Sequence, residues 1–210
     1  MANYQCDPFL LKPYLPTDTE PDTYNGLHYI SLVAFRFLDT RVLGIRFPFH
    51  VHFTEVNLRF YVRRKINGQW RRGVVFIKEI VPKCMITFIA NTIYKEHYQT
   101  MKTSCRIHKD AGTLHIEYAW GRNNNFRCAS DHVSIPIAPG SLDAFITEHY
   151  WGYAGINNNT TMEYAVEHPI WNVFPIHDFS IQCHFKKIYG ASFEFLSNTK
   201  PQSVLLADGS

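Results

Sequence analysis

The stretch from His52 to Val62 (HFTEVNLRFYV) alternates apolar and polar residues with a period of two, and this limits what the rest of the chain can build. Side chains on a strand point to opposite faces in turn, so Thr54, Val56, Leu58, Phe60 and Val62 share one apolar surface. Glu55, Asn57, Arg59 and Tyr61 project together from the other. Two environments suit that polar row. It can face solvent from a half-covered antiparallel sheet, or it can face the inside of a barrel or cleft, where an acid, an amide, a guanidinium and a phenol converge on a small polar molecule.

The surrounding sequence favours strands. Asn67-Gly68 is a strong two-residue hairpin signal and joins this stretch to a second run, Arg72 to Val81. In that run Lys78 and Glu79 fall on opposite faces of an apolar strand, so at least one of them needs a partner. Sixteen Phe, twelve Tyr and four Trp sit in short apolar runs broken by Gly, Pro and Asn. Further strands are expected at residues 28–38, 98–107, 112–120, 126–137, 160–167 and 203–207. Short helices are expected at Asp7–Tyr14, with Asp7 as N-cap, at Lys83–Tyr94, and from Ser141 to about Tyr150 with Ser141 as N-cap. Phe185, Ile188, Tyr189, Phe193 and Leu196 have helical spacing. The sum is a mainly β, antiparallel, barrel-like protein with a few covering helices, and 210 residues suit a single domain over 1–210.

Charge and cysteine usage narrow the function classes. A net charge of +3, with Arg63-Arg64-Lys65 as the longest basic run, is too little for a nucleic-acid surface. The five cysteines are scattered without a Cys-x-x-Cys pair, which fits reduced thiols and no zinc ribbon. The first residues, Met1 to Asp7, carry no basic and apolar leader, and no apolar run is long enough to span a membrane. A cytoplasmic protein is the expectation, and Asn158 and Asn159 then read as loop residues, not glycosylation acceptors.

No phosphate-binding loop, Gly-x-Ser-x-Gly elbow or His-Glu-x-x-His motif is present, and no cofactor is expected. His50-x-His52 places two imidazoles on the face opposite Glu55, with no third ligand at a metal-binding spacing, so no metal site is assigned. Lys186-Lys187 is the one adjacent lysine pair, and its helical spacing turns it to solvent. Glu55 and Glu79 form an acid pair only if both face the same interior, which alternation alone does not decide.

Several segments together resemble the YqjF-like bacterial family, a domain of unknown function: FRFLDTRVLG at residues 35–44, FTEVNLRFYV at 53–62, GVVFI at 73–77, Tyr94-x-Glu96-x-Tyr98, HYWGY at 149–153 and SVLLA at 203–207. That family in turn is similar to acetoacetate decarboxylase, whose fold is an antiparallel β cone around a small active-site cavity. The resemblance implies that Glu55 faces the cavity as an active-site glutamate, with Asn57 and Arg59 beside it. It also shows a departure. Where the decarboxylase has its adjacent catalytic lysines this chain has Tyr98-Gln99, so no Schiff base is expected there. A second departure is that the decarboxylases carry an N-terminal strand with a cavity arginine ahead of the segment like Asn3 to Pro16, and that relatives continue beyond Ser210.

The expected site is therefore Glu55 and Tyr98 as proton-transfer groups, with Asn57, Arg59 and His97 as ligand contacts. The expected ligand is a small carbonyl or carboxylate compound, with neither nucleic acid nor membrane as partner and with room for a homo-oligomer. An enzyme of the same fold using acid/base chemistry, such as a lyase or isomerase, is the alternative, and a non-catalytic interaction module is a third.

Overall fold

The computed structural model describes residues 1–38, 53–82, 97–157, 159–166 and 168–209. In chain order the strands are β1 (Ala2–Cys6), β2 (Thr19–Pro21), β3 (His28–Phe37), β4 (Phe53–Ile66), β5 (Gln69–Val81), β6 (Tyr98–Thr100), β7 (Thr103–Asp110) and β8 (Thr113–Trp120). They continue with β9 (Asn124–Asp131), β10 (Ile135–Pro136), β11 (Trp151–Asn157), β12 (Thr160–Ala165), β13 (Asn172–Phe174), β14 (Ile176–Gln182), β15 (Ser203–Val204) and β16 (Leu206–Ala207). Two short α-helices, α1 (Leu142–Thr147) and α2 (Phe185–Tyr189), cover them.

The main sheet runs β12-β11-β5-β4-β3-β1-β15, with β2 added to β4 and β6 to β5. Its pairings are antiparallel except β5 with β11 and β5 with β6, which are parallel. Among the described residues its two ends do not meet, so the sheet is an open, cone-like wrap and not a closed barrel. A second sheet, β14-β9-β8-β7, and a small third one, β10-β13-β16, complete the layers.

The long hairpin β4-β5 is the spine. Asn67 and Gly68 both adopt positive φ, at 50° and 81°, as a type I′ turn requires. Along β4, Val56, Leu58, Phe60 and Val62 are fully buried against Ile30 and Leu32 of β3, Tyr4 of β1 and Phe185 of α2. Each contributes about 1.5–3 kcal/mol of burial, which fixes the register of the strand. The opposite face is covered as well, because Phe145 and Ile146 of α1 pack on Tyr29, Tyr61 and Val74. The polar row is therefore shielded from bulk solvent: Glu55 is 2% exposed, Asn57 0% and Tyr61 1%.

Several elements differ from the expectations. Residues 7–14 form two 3-10 turns, Pro8–Leu10 and Lys12–Tyr14, in place of one helix. Asp7 caps the first by accepting from Phe9 N at 2.8 Å, but Pro13 has no N–H with which to continue an α-helix. Helix α1 stops at Thr147 because the ring of His149 takes the Phe145 carbonyl (Nδ1 to O, 2.7 Å) that the next backbone N–H would need. Gly190, with φ of 106°, splits the 185–196 segment into α2 and a 3-10 helix at Ala191–Ser197. The strand expected at 98–107 breaks into β6 and β7, which belong to different sheets. Strand 126–137 begins two residues earlier and ends at Asp131, and strand 160–167 ends at Ala165. Strands β1, β2, β11, β13 and β14 were not anticipated. The resembling segment beyond Leu38, the expected helix at Lys83–Tyr94, and His50, His52, Cys84 and Asn158 lie outside the described residues.

Candidate functional site

Residues paired across a sheet share a face, so the register states which groups meet. Asn57 lies opposite Glu79 on β5 and Val33 on β3, and Glu79 lies beside Tyr98 on β6. Tyr98, Glu79 and Asn57 thus form one line across three strands. Glu55 is the next inward-facing residue of β4 in one direction, and Arg59, opposite Ser31 and Phe76, is the next in the other.

The alignment of Glu79 depends on a bulge. Leu58 pairs with Lys78, whereas Arg59 pairs with Phe76, so Ile77 is an extra residue in β5. Strict alternation puts Phe76 and Glu79 on opposite faces. The bulge places both on the side of Arg59 and Asn57, and it turns Ile77 and Lys78 together toward the apolar core. The described acids of β4 and β5, Glu55 and Glu79, are consequently both interior, each 2% exposed.

Within the row, Asn57 Nδ2 donates to Glu55 Oε1 at 2.9 Å. A carboxylate oxygen accepts, so this contact fixes the amide and leaves Asn57 Oδ1 pointing away from Glu55. Oδ1 is fully buried and has no hydrogen-bond partner among the described residues. Arg59 is half-buried; its Nε is fully buried and likewise has no acceptor among them. The other Arg59 contacts are weak: Nη2 lies 3.8 Å from Met1 Sδ, and the guanidinium sits 5.9 Å from the Tyr61 ring centroid. Tyr61 closes the row. Its hydroxyl donates to Ser31 Oγ (2.7 Å), Ser31 donates to Asn3 Oδ1 (2.6 Å), and Asn3 Nδ2 donates to Ser203 Oγ (2.9 Å). This chain ties β4, β3, β1 and β15 together under the site.

Of the anticipated residues, the structure brings Glu55, Asn57, Arg59 and Tyr98 to one face and adds Glu79. It does not bring His97 there. That side chain is exposed and lines a small hollow with Tyr14, Val75, Phe76 and Tyr153, while its carbonyl accepts from Glu79 N at 3.1 Å. Lys78 points to the other face, where its ammonium donates to the Ile188 carbonyl at the end of α2, and burial pushes its pKa down. Lys186 is exposed and pairs with Glu194 at 2.9 Å. Arg63 and Arg64 are matched by Glu20, Asp18 and Glu163, which leaves no concentrated basic surface at that hairpin. The four described cysteines are free, and burial raises the Cys6 and Cys183 thiols to about 12, far from a nucleophilic thiolate. No metal-binding cluster occurs among the described residues.

A second polar cluster lies behind Tyr61 and was not foreseen. Asp22 Oδ2 accepts from Arg72 Nε at 2.7 Å and lies 3.2 Å from His149 Nε2, and the His149 ring packs on Tyr61 and Phe145. Asp22 is buried at a cost to its charge, but the His149 ring and the Arg72 guanidinium outweigh that cost and hold it well below the usual carboxylate range. Burial pulls His149 down to about 4, against the pull of Asp22 upward. The cluster clamps α1 to the sheet. Asp22 lies 50 residues from Arg72 and 127 from His149, and nothing local links them.

This arrangement of sheets is the acetoacetate decarboxylase-like fold. The acetoacetate decarboxylase of Legionella pneumophila matches with a TM-score of 0.55 and 13% identity, over 90% of this chain and 74% of that one. An acetoacetate decarboxylase-like enzyme from Sphingomonas wittichii RW1 gives 0.56 and 14%, over 98% and 82%. The enduracididine biosynthesis enzyme MppR complexed with pyruvate gives 0.56 and 12%, over 98% and 80%. Within that fold the chain belongs to the DUF2071 family, described as an uncharacterized conserved protein, whose profile matches residues 1–210. It is 28% identical over 175 residues to the uncharacterized protein YqjF of Bacillus subtilis (strain 168), across 80% of this chain and 69% of that protein.

Proposed function

We propose that the interior face of β4 binds a small carboxylate or carbonyl compound, with Arg59 as its anion partner and Glu55, Asn57 and Tyr98 completing the contacts. The observation that carries this reading is the guanidinium: among the described residues no carboxylate lies within ion-pair distance of it, and its Nε is buried without an acceptor. A cation drawn out of water without a counter-ion costs free energy that a bound anion recovers. MppR, which shares the fold, has been crystallised with pyruvate, a small carboxylate.

The binding is non-covalent. Tyr98 and Gln99 stand where the resemblance puts the lysine pair, and Lys78 faces away, so acetoacetate followed by borohydride is expected to leave no adduct on the protein. Titration of the wild type with butyrate and acetoacetate tests the anion role. Arg59→Ala removes a charge-assisted hydrogen bond of about 1.5–3 kcal/mol, so affinity for the carboxylate is expected to fall about 10- to 150-fold. Unchanged affinity, or a lysine adduct, refutes the proposal.

A second reading, acid/base catalysis on the same ligand by a lyase or isomerase, is favoured by the shared face of Glu55, Glu79 and Tyr98. Under it, Glu55→Gln abolishes turnover of a bound carbonyl acid and spares its binding.

A further inference from the structure

The unpartnered groups of the row are complementary in kind, and together they narrow the ligand. Among the described residues, Arg59 Nε is a buried donor without an acceptor and Asn57 Oδ1 a buried acceptor without a donor. Asn57 is 0% exposed, and its Nδ2 is already committed to Glu55 Oε1, so the free oxygen cannot be satisfied by turning the amide over.

We infer that the ligand of this site is a hydroxycarboxylate: its carboxylate accepts from Arg59 Nε, and its hydroxyl, on the carbon bearing the carboxylate or the next one, donates to Asn57 Oδ1. This rests on the reading of Arg59 as an anion partner. Asn57 and Arg59 are two residues apart on one strand face, a rise of about 6.6 Å. Neighbouring side chains on one face let a single small ligand touch both groups. An oxo acid presents only acceptors, so its carbonyl oxygen leaves Asn57 Oδ1 unsatisfied. An unsubstituted acid leaves it unsatisfied too. An ammonium in the hydroxyl position also donates, but it loses far more hydration on entry.

The test compares 2-hydroxybutyrate, 2-oxobutyrate, 2-aminobutyrate and butyrate by isothermal titration on the wild type. A site built around a buried polar group discriminates against analogues that leave that group unpaired. The hydroxy acid is therefore expected to bind at least about 10-fold more tightly than each of the other three. In Asn57→Leu, where the orphan acceptor is replaced by an apolar group of similar size, the preference for 2-hydroxybutyrate over butyrate is expected to shrink to within about 2-fold. Because the comparison within the wild type stands alone, a poorly folded variant does not rescue the inference. If the oxo, amino or unsubstituted acid binds as tightly as the hydroxy acid, the inference is wrong and the anion-binding function stands. If none of the four binds at millimolar concentration, the proposed function fails and the inference fails with it.

Discussion

His149 gives the sharpest prediction about stability, because burial pulls its pKa down against the opposing pull of Asp22 and the Phe145 carbonyl. Its side chain is 1% exposed, and burial depresses its pKa to about 4 from the ordinary 6.5. Between those two values the unfolded chain binds a proton that the folded chain refuses, so folding stability falls as pH drops through this window. The contribution is complete above pH 6.5 and is lost as pH approaches 4. At 1.36 kcal/mol per pKa unit the loss amounts to about 3 kcal/mol. Asp22 keeps its charge throughout, since the Arg72 guanidinium donates to it at 2.7 Å and it is held below the usual carboxylate range, and its own contribution vanishes only at lower pH. The assay is urea unfolding at half-unit steps from pH 7.5 to 4, on the wild type and on His149→Asn, which retains a donor near the position of Nδ1. The difference between the two proteins is expected to shift by about 3 kcal/mol against the wild type on acidification. A difference that stays constant with pH refutes the neutral, buried ring. A difference that grows in favour of the wild type means that Asp22 and the Phe145 carbonyl hold the ring as an imidazolium.

Two further substitutions probe the frame of the site. A Cβ at Gly73 would lie 2.5 Å from the Trp151 carbonyl oxygen and 2.6 Å from a Tyr153 ring carbon, across the parallel β5-β11 pairing. Gly73→Ala is therefore expected to cost about 2–3 kcal/mol, read from the denaturation midpoint, and a cost under about 0.5 kcal/mol contradicts that packing. Ser31→Ala strands both the Tyr61 hydroxyl and Asn3 Oδ1 in the interior, with an expected loss of about 2 kcal/mol. Adding Tyr61→Phe to Ser31→Ala is expected to recover part of that loss, and strict additivity of the two changes argues against a shared network.

The β4 alternation, the Asn67-Gly68 turn and the Asp7 and Ser141 caps were legible because each is set by neighbours a few residues away. The placement of Glu79 was not, because Val74 to Val81 is apolar on both sides and no residue marks Ile77 as the extra one. Strand β11 was hidden for a related reason. Its second residue, Gly152, has no side chain, and the Tyr164 ring fills the space one would occupy. Strand β1 was not expected either. Its Asn3 is fully buried only because Ser31 and Ser203, drawn from opposite ends of the chain, complete its hydrogen bonds.

The bulge also bears on how this family departs from the decarboxylases it resembles. Imine chemistry needs an unprotonated amine on the cavity face, and in β5 the lysine and the glutamate are adjacent residues, so only one of Lys78 and Glu79 can look inward. With Ile77 taken up as a bulge, Glu79 looks inward and Lys78 reaches the Ile188 carbonyl. With Tyr98 in line beyond Glu79, β5 and β6 present a carboxyl group and a phenol to this face. Such groups are able to hold protons, and under the proposed function the charge complementary to a carboxylate comes from Arg59 on β4. Deleting Ile77 leaves Phe76, Lys78 and Glu79 in regular alternation opposite Arg59, Leu58 and Asn57, so the line from Asn57 through Glu79 to Tyr98 is expected to survive the loss of the bulge.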